Sequence, residues 1–229
     1  MNQNTDVYSR WIPLMGEEEI EGYRKSGLGR RVGFGKKLAL LVVDMNNIYV
    51  DDKYTMAYGN LVKKAVEGTA KLTKACREAG IQVFYVMPGR QNLALIGMQA
   101  EKWGTITDPS LHTSEGAEFP EAIRPQEGDI VFQKAKSSAF FETPFRGMLQ
   151  HLGIDGLIIC GISTSGCVRA AVMDAFYCNY RIVIPEQCCG DRSPKAHMYN
   201  LFDMVMMYGD VMDLDDVLAY LRSLKKPEA

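Results

Sequence analysis

Histidine is scarce in this chain. His112, His151 and His197 are its only three, and none lies at metal-ligand spacing from another. No Asp-x-His follows Asp44, and the six cysteines (76, 160, 167, 178, 188 and 189) contain no CxxC. Zinc-type centres are therefore excluded as a first reading, and no metal or other cofactor is expected. The cysteines also lack the regular framework of a disulfide scaffold. The polar segment from Met1 to Arg10 has no apolar signal core, so reduced thiols in a cytoplasm are expected. Long apolar runs are missing too. The longest, Leu38 to Val43, falls far short of the ~20 residues that span a bilayer, so no membrane association is expected. Neither sign of charge dominates: 26 basic residues against 28 acidic ones leave −2, which offers no footprint for nucleic acid. Basic pairs such as Lys36-Lys37 and Lys225-Lys226 read as solvated surface.

What is present is ordinary globular material, 47% apolar and 24% charged, which excludes disorder, collagen-like repeats and coiled coil. Residues 1–35 read as an N-terminal arm with a short helix from Glu17 to Lys25, stopped by Gly27. The stretch Gly27 to Gly33 precedes a strand instead of following one, so it is no dinucleotide fingerprint. From residue 36 onward an alternation sets in. Strands are expected at Leu38–Val43, Ile81–Met87, Asp129–Gln133, Gly156–Gly161, Arg181–Pro185 and Asp210–Met212, from continuous apolar, β-branched runs. Helices are expected from Leu61 to Ala79, from a Thr143 cap to Gly153, from Cys167 to Asn179, from Ser193 to Tyr208, and from an Asp213 cap to Leu224. Such alternation predicts a single domain over residues 36–229. It is of the α/β class, a doubly wound, mainly parallel sheet of about six strands with helices on both faces. Residues 89–128, with Trp103, Pro109, Pro120 and Pro125, resist assignment. A stretch that long is expected to shape part of a binding site, and Trp103 is a candidate substrate contact. The 13 methionines read as core and interface filler.

Ligands of open α/β sheets sit beyond the carboxyl ends of the strands, so the polar residues just after each strand matter most. Asp44 follows the first strand and Lys134 the third. The turn Ile162-Ser163-Thr164-Ser165-Gly166 leads from the fourth to Cys167, and Asp191-Arg192 follow the fifth. A cysteine after a strand and a tight turn, opening a helix, has the layout of a nucleophile elbow. Helix N-terminal amides there should favour its thiolate. The alternative is a small buried apolar residue, the reading preferred for Cys76, Cys160 and Cys178. Asp44 needs a partner, because an unpaired buried charge is costly, and Lys134 can supply one. That pair could be structural, or Asp44 could accept the thiol proton while Lys134 stabilises the anions. His197 competes as base but lies well inside a helix. Arg192 could hold a substrate carboxylate or merely pair with Asp191.

These residues resemble the isochorismatase-like cysteine hydrolase superfamily. The matching segments are Leu40 to Met45, Lys134 to Thr143 with its Lys-x-x-x-Ser-Ala-Phe spacing, and Gly161 to Ala170 with Ser-Thr-x-Gly-Cys-Val. The resemblance runs from about Gly33 to Leu224 and implies a triad of Asp44, Lys134 and Cys167. The same spacing selects Lys134 over Lys136. Arg30 to Gly35, Gly190-Asp191-Arg192 and the run from His197 to Asp203 are similar to the branch that hydrolyses N-carbamoylsarcosine and maleamate. The resemblance then implies an ammonia-releasing amidohydrolase for a small carboxylated amide or N-carbamoyl compound, acting through a Cys167 thioester. It also implies an oxyanion hole from the backbone N–H groups of Ser163 and Cys167, a cis Ile162–Ser163 peptide, a substrate carboxylate on Arg192, and a homo-oligomer, a tetramer. Nicotinamidases of this superfamily carry a metal site whose ligands are missing here. Cys188-Cys189 depart from the small apolar residues usual there and read as filler near the site. Two other readings stay open: an isochorismatase-type hydrolase of another substrate, and a catalytically silent binding member of the fold.

Overall fold

Apolar β-branched runs bury best when covered on both faces, and the chain's six such runs all become parallel strands. The computed structural model describes residues 6–89, 96–104 and 113–224. Its strands are β1 (Leu38–Val43), β2 (Gln82–Pro88), β3 (Ile130–Lys134), β4 (Gly156–Ile162), β5 (Arg181–Pro185), β6 (Cys189–Gly190) and β7 (Asp210–Met212). They line up as β3-β2-β1-β4-β5-β7, with β6 pairing β4, and every pairing is parallel. The longer helices are α1 (Glu17–Ser26), α2 (Asn60–Glu78), α3 (Phe145–His151), α4 (Arg169–Tyr177), α5 (Pro194–Met207) and α6 (Leu214–Leu224). The expected α/β architecture is therefore present.

Most boundaries move by a residue or two. β3 runs on to Lys134 because Lys134 still pairs with Pro88 of β2. β6 was not expected, since two residues carry no periodic signal. The larger difference is at the expected Cys167–Asn179 helix. Thr164–Val168 forms a π-helical turn and regular α4 begins only at Arg169, so Cys167 lies in the turn and not at an α-helical N-terminus. The Ile162–Ser163 peptide is cis, as the resemblance implied.

β1 is buried along its whole length, and the core spreads from it through β2, β4 and α2. The N-terminal arm joins this core. Trp11 is fully buried edge-on to Phe202 of α5 at 5.7 Å, and Tyr23 of α1 meets the same ring at 5.0 Å. Near the carboxyl ends of β1 and β4, Val43 faces Gly161, which has a φ of 126°. A Cβ on Gly161 would stand 2.1 Å from the Val43 carbonyl oxygen, so only glycine fits. From β1 the chain builds outward to β2 and β3, then returns to β4 and builds the other way. Strand order reverses between β1 and β4, and their carboxyl ends part there to form a crevice.

Candidate active site

Asp44 closes β1 at that crevice with a φ of 51°, a left-handed conformation that few residues other than glycine adopt. Its N–H donates to the Val86 carbonyl at 2.9 Å, which ties it to β2. Lys134, last residue of β3, reaches across and donates from Nζ to Asp44 Oδ2 at 2.7 Å. The same Nζ donates to Cys167 Sγ at 3.4 Å and to the Lys136 carbonyl at 3.1 Å. Asp44 is 2% exposed and Lys134 6%, so this ion pair is out of water. Sequence-distant Asp44, Lys134 and Cys167 are thus one contact cluster. Lys136, the alternative lysine, instead donates to the Ile96 carbonyl at 2.6 Å.

Burial raises the Asp44 pKa, opposed by the Lys134 charge and by hydrogen bonds from Lys134 and Cys167. Burial works to lower Lys134, but the charges of Asp44 and Cys167 outweigh it and leave the ammonium's pKa raised. Burial, and then the neighbouring Asp44 charge, push the Cys167 thiol up to about 12, with Lys134 pulling the other way. The expected depression of this thiol's pKa is therefore overturned. Cys167 stands half-buried in the π turn beside a carboxylate, where desolvation and that charge outweigh any favourable dipole. The resting site holds a neutral thiol next to an Asp44–Lys134 ion pair.

A cleft opens on this cluster and has two lobes. The larger, about 490 Å³, is lined by Tyr49, Tyr58, Ser163, Cys167 and Arg192. The smaller, about 80 Å³, is lined by Asn46, Met87, Ile96, Gln99 and Lys136. Asp44, Tyr49, Met56, Trp103 and Cys167 line both, and Trp103 is 42% exposed at their common wall. The expected site residues therefore meet at one cleft. Arg192 holds its guanidinium carbon 3.9 Å from the centre of the Tyr58 ring. Among the described residues it makes no ion pair, so the structural pairing with Asp191 is not formed. Asp191 is buried and accepts the N–H groups of Ser165 at 2.7 Å and Arg192 at 2.8 Å.

His197, expected well inside a helix, lies instead near the start of α5 and reaches this edge. From the first turn of α5 its Nδ1 lies 2.8 Å from Thr164 Oγ1, and Thr164 donates to the Gly190 carbonyl at 3.1 Å. Its partner is the turn that carries Cys167, not the thiol, and burial lowers its pKa, so it holds this contact as a neutral ring. Sequence reasoning overlooked Asn46, Tyr49, Tyr58, Gln99 and the turn-holding role of Asp191. Asn46 alone carried a signal, as a polar residue just past a buried strand. His112 and Pro109 lie outside the described residues. Cys188 and Cys189 are buried, as expected of filler. Among the described residues no three His, Cys, Asp or Glu side chains are arranged to hold a metal ion.

The chain is similar to known proteins of one family. The family model for the isochorismatase domain matches residues 38–216, from the first residue of β1 into α6. Maleamate amidohydrolase of Pseudomonas putida is 36% identical over 198 residues, 86% of this chain and 92% of its own. N-carbamoylsarcosine amidase of an Arthrobacter species is 30% identical over 233 residues, 97% of this chain and 87% of its own. A solved cysteine hydrolase from Pseudomonas syringae superposes with a TM-score of 0.77 at 20% identity, over 82% of this chain and 94% of that one, which is a likeness of fold. With its parallel sheet, its crevice between β1 and β4 and a family match covering nearly every element from β1 onward, the chain belongs to the isochorismatase family.

Proposed function

We propose that this amidohydrolase cleaves a small carboxylated amide or N-carbamoyl compound through a Cys167 thioester and releases ammonia. The observation that carries the reading is the buried Asp44–Lys134 pair in contact with Cys167, opening on the same cleft as Arg192, which makes no ion pair among the described residues. The substrate carboxylate pairs with the Arg192 guanidinium, which sets the carbonyl over Cys167. Asp44 takes the thiol proton as sulfur attacks, and Lys134 offsets the negative charge around it. Backbone N–H groups of Ser163 and Cys167 receive the oxyanion. The C–N bond breaks, the Asp44 proton goes to the leaving nitrogen, and ammonia departs from a thioester. Water, deprotonated by Asp44, then attacks the thioester and frees the acid and the thiol. Both named relatives point to substrates of this kind, since maleamate and N-carbamoylsarcosine are small acids bearing a terminal –NH2 on a carbonyl. A homotetramer in the cytoplasm belongs to the same reading, and sedimentation of the purified protein measures the assembly.

The test is an ammonia-release screen over small acidic amides, N-carbamoyl amino acids and their neutral analogues. Turnover is expected on acidic members and abolished in Cys167→Ala. No release from any amide, or release preferring the neutral analogues, would refute the proposal.

A further inference from the structure

Four buried side-chain polar atoms among the described residues lack a hydrogen-bond partner: Trp11 Nε1, Asp44 Oδ1, Asn46 Oδ1 and Gln99 Oε1. The last three belong to residues that line the small lobe of the cleft. Of these, Asp44 also faces the larger lobe and the Cys167 thiol, whereas Asn46 and Gln99 line the small lobe and not the larger. All three are acceptors. The Asn46 orientation is fixed, because its Nδ2 donates to the Ala117 carbonyl at 2.6 Å and the flipped amide would set oxygen against oxygen. Gln99 Nε2 donates to Ser137 Oγ at 3.3 Å, which leaves its oxygen free. Asn46 is fully buried, so its bare carbonyl oxygen is costly unless something donates to it. The Lys136 ammonium on the same wall is already turned to the Ile96 carbonyl. The compartment therefore offers acceptors and asks for a ligand rich in donors. About 80 Å³ holds only a few water-sized groups.

We infer that the small lobe is a nitrogen subsite: Asn46, Gln99 and Asp44 take the –NH2 of the bound substrate, then the ammonia it releases, and admit other small amines in its place. This rests on the amidohydrolase reading and adds an orientation to it. Cys167 lines both lobes, so a carbonyl over its sulfur with the acid end at Arg192 sends its nitrogen into the small lobe. Filled by an amine, the subsite makes the enzyme an acyl transferase. With hydroxylamine, the thioester carbonyl forms a C–N bond, the C–S bond breaks, the thiol recovers its proton, and a hydroxamate leaves in place of the acid.

Hydroxamate and acid come from one thioester, so their ratio is independent of how fast that thioester forms. The test uses an amide found active in the ammonia-release screen and measures this ratio against hydroxylamine concentration. In the wild type the ratio should saturate. Gln99→Leu should lower it about fivefold at low hydroxylamine, the scale of one hydrogen bond, while Gln99→Glu, which keeps an acceptor, should hold it within about twofold. A ratio that rises without saturation and is the same in Gln99→Leu means the lobe takes only water, and the inference falls. Should Gln99→Leu not fold, the wild type decides alone. Ammonium chloride should inhibit where tetramethylammonium chloride at equal ionic strength does not, and equal effects of both salts overturn the assignment. Acid production with no partition effect removes this inference and leaves the proposed function standing. Neither acid nor hydroxamate from any amide removes both.

Discussion

At the scale of single residues, protonation decides the chemistry. Desolvation and the Asp44 charge push the Cys167 thiol up to about 12, so under the proposed mechanism its attack depends on Asp44 as base and not on a standing thiolate. kcat/KM should therefore fall only on the acid side, as Asp44 takes a proton at a pH above the ordinary carboxylate value of 3.8. It should stay level through about pH 8–9, where an ordinary cysteine ionises. A pH–rate profile that climbs tenfold per pH unit through that range would mean a thiolate nucleophile. Cys167→Ala should fold with an unchanged circular dichroism spectrum and lose at least ~10³ in rate, on the order of 4 kcal/mol of barrier. Arg192 stacks on Tyr58 and makes no ion pair among the described residues. Arg192→Ala should cost roughly 2–4 kcal/mol in kcat/KM on acidic amides, little on neutral ones of equal size, and almost nothing in melting temperature. Equal losses on both substrate types would make the side chain structural.

At the scale of elements, the turn from Ser163 to Val168 is the part that sequence reasoning read least well. Its position after β4 and its cysteine were legible, because an apolar run ending in Gly-Ile-Ser-Thr-Ser-Gly-Cys marks a strand and a turn. Its π-helical form was not, because that depends on groups from elsewhere: the Asp191 carboxylate on the Ser165 N–H, and His197 on Thr164. Helix propensity carries no trace of such partners. Asp191→Ala strips the Ser165 and Arg192 N–H groups of their acceptor. It should destabilise the fold by about 1–3 kcal/mol and lower kcat more than tenfold, because the nucleophile turn relaxes. Asp191→Asn, which keeps one acceptor oxygen, should recover much of both. Thermal melts alongside steady-state kinetics read the two effects, and full activity in Asp191→Ala would show that the turn holds itself.

At the scale of the whole molecule, the buried thiols tie stability to pH. In the unfolded chain a cysteine ionises near 9, while burial keeps Cys76 and Cys167 protonated to about 12. Above pH 9 the folded chain thus binds more protons than the unfolded one, and stability falls as pH rises, by on the order of 4 kcal/mol for Cys76 at pH 12, with Cys167 acting in the same direction. Tyr85, raised by burial to about 12, and Lys134, raised by its anionic neighbours, act in the same direction. Urea midpoints should hold steady through neutral pH and drop clearly by pH 10. A midpoint as high at pH 10 as at pH 8 would contradict this burial.

Six of the seven strands, the longer helices, the parallel α/β class and the placing of Asp44, Lys134 and Cys167 at the strands' carboxyl edge were legible in the sequence. Apolar periodicity follows directly from which faces must be buried, and in parallel sheets chemistry gathers at the carboxyl ends of strands. Tertiary structure alone decided how these groups behave. The Asp44–Lys134 contact spans three strands. The thiol's pKa follows from burial and a neighbouring carboxylate, and the freedom of Arg192 follows from Asp191 facing backbone amides instead. The two-lobed cleft and its three bare acceptors come from segments far apart in the chain. Charge and solvation depend on what surrounds a group in space, and a linear pattern records only what lies beside it along the backbone.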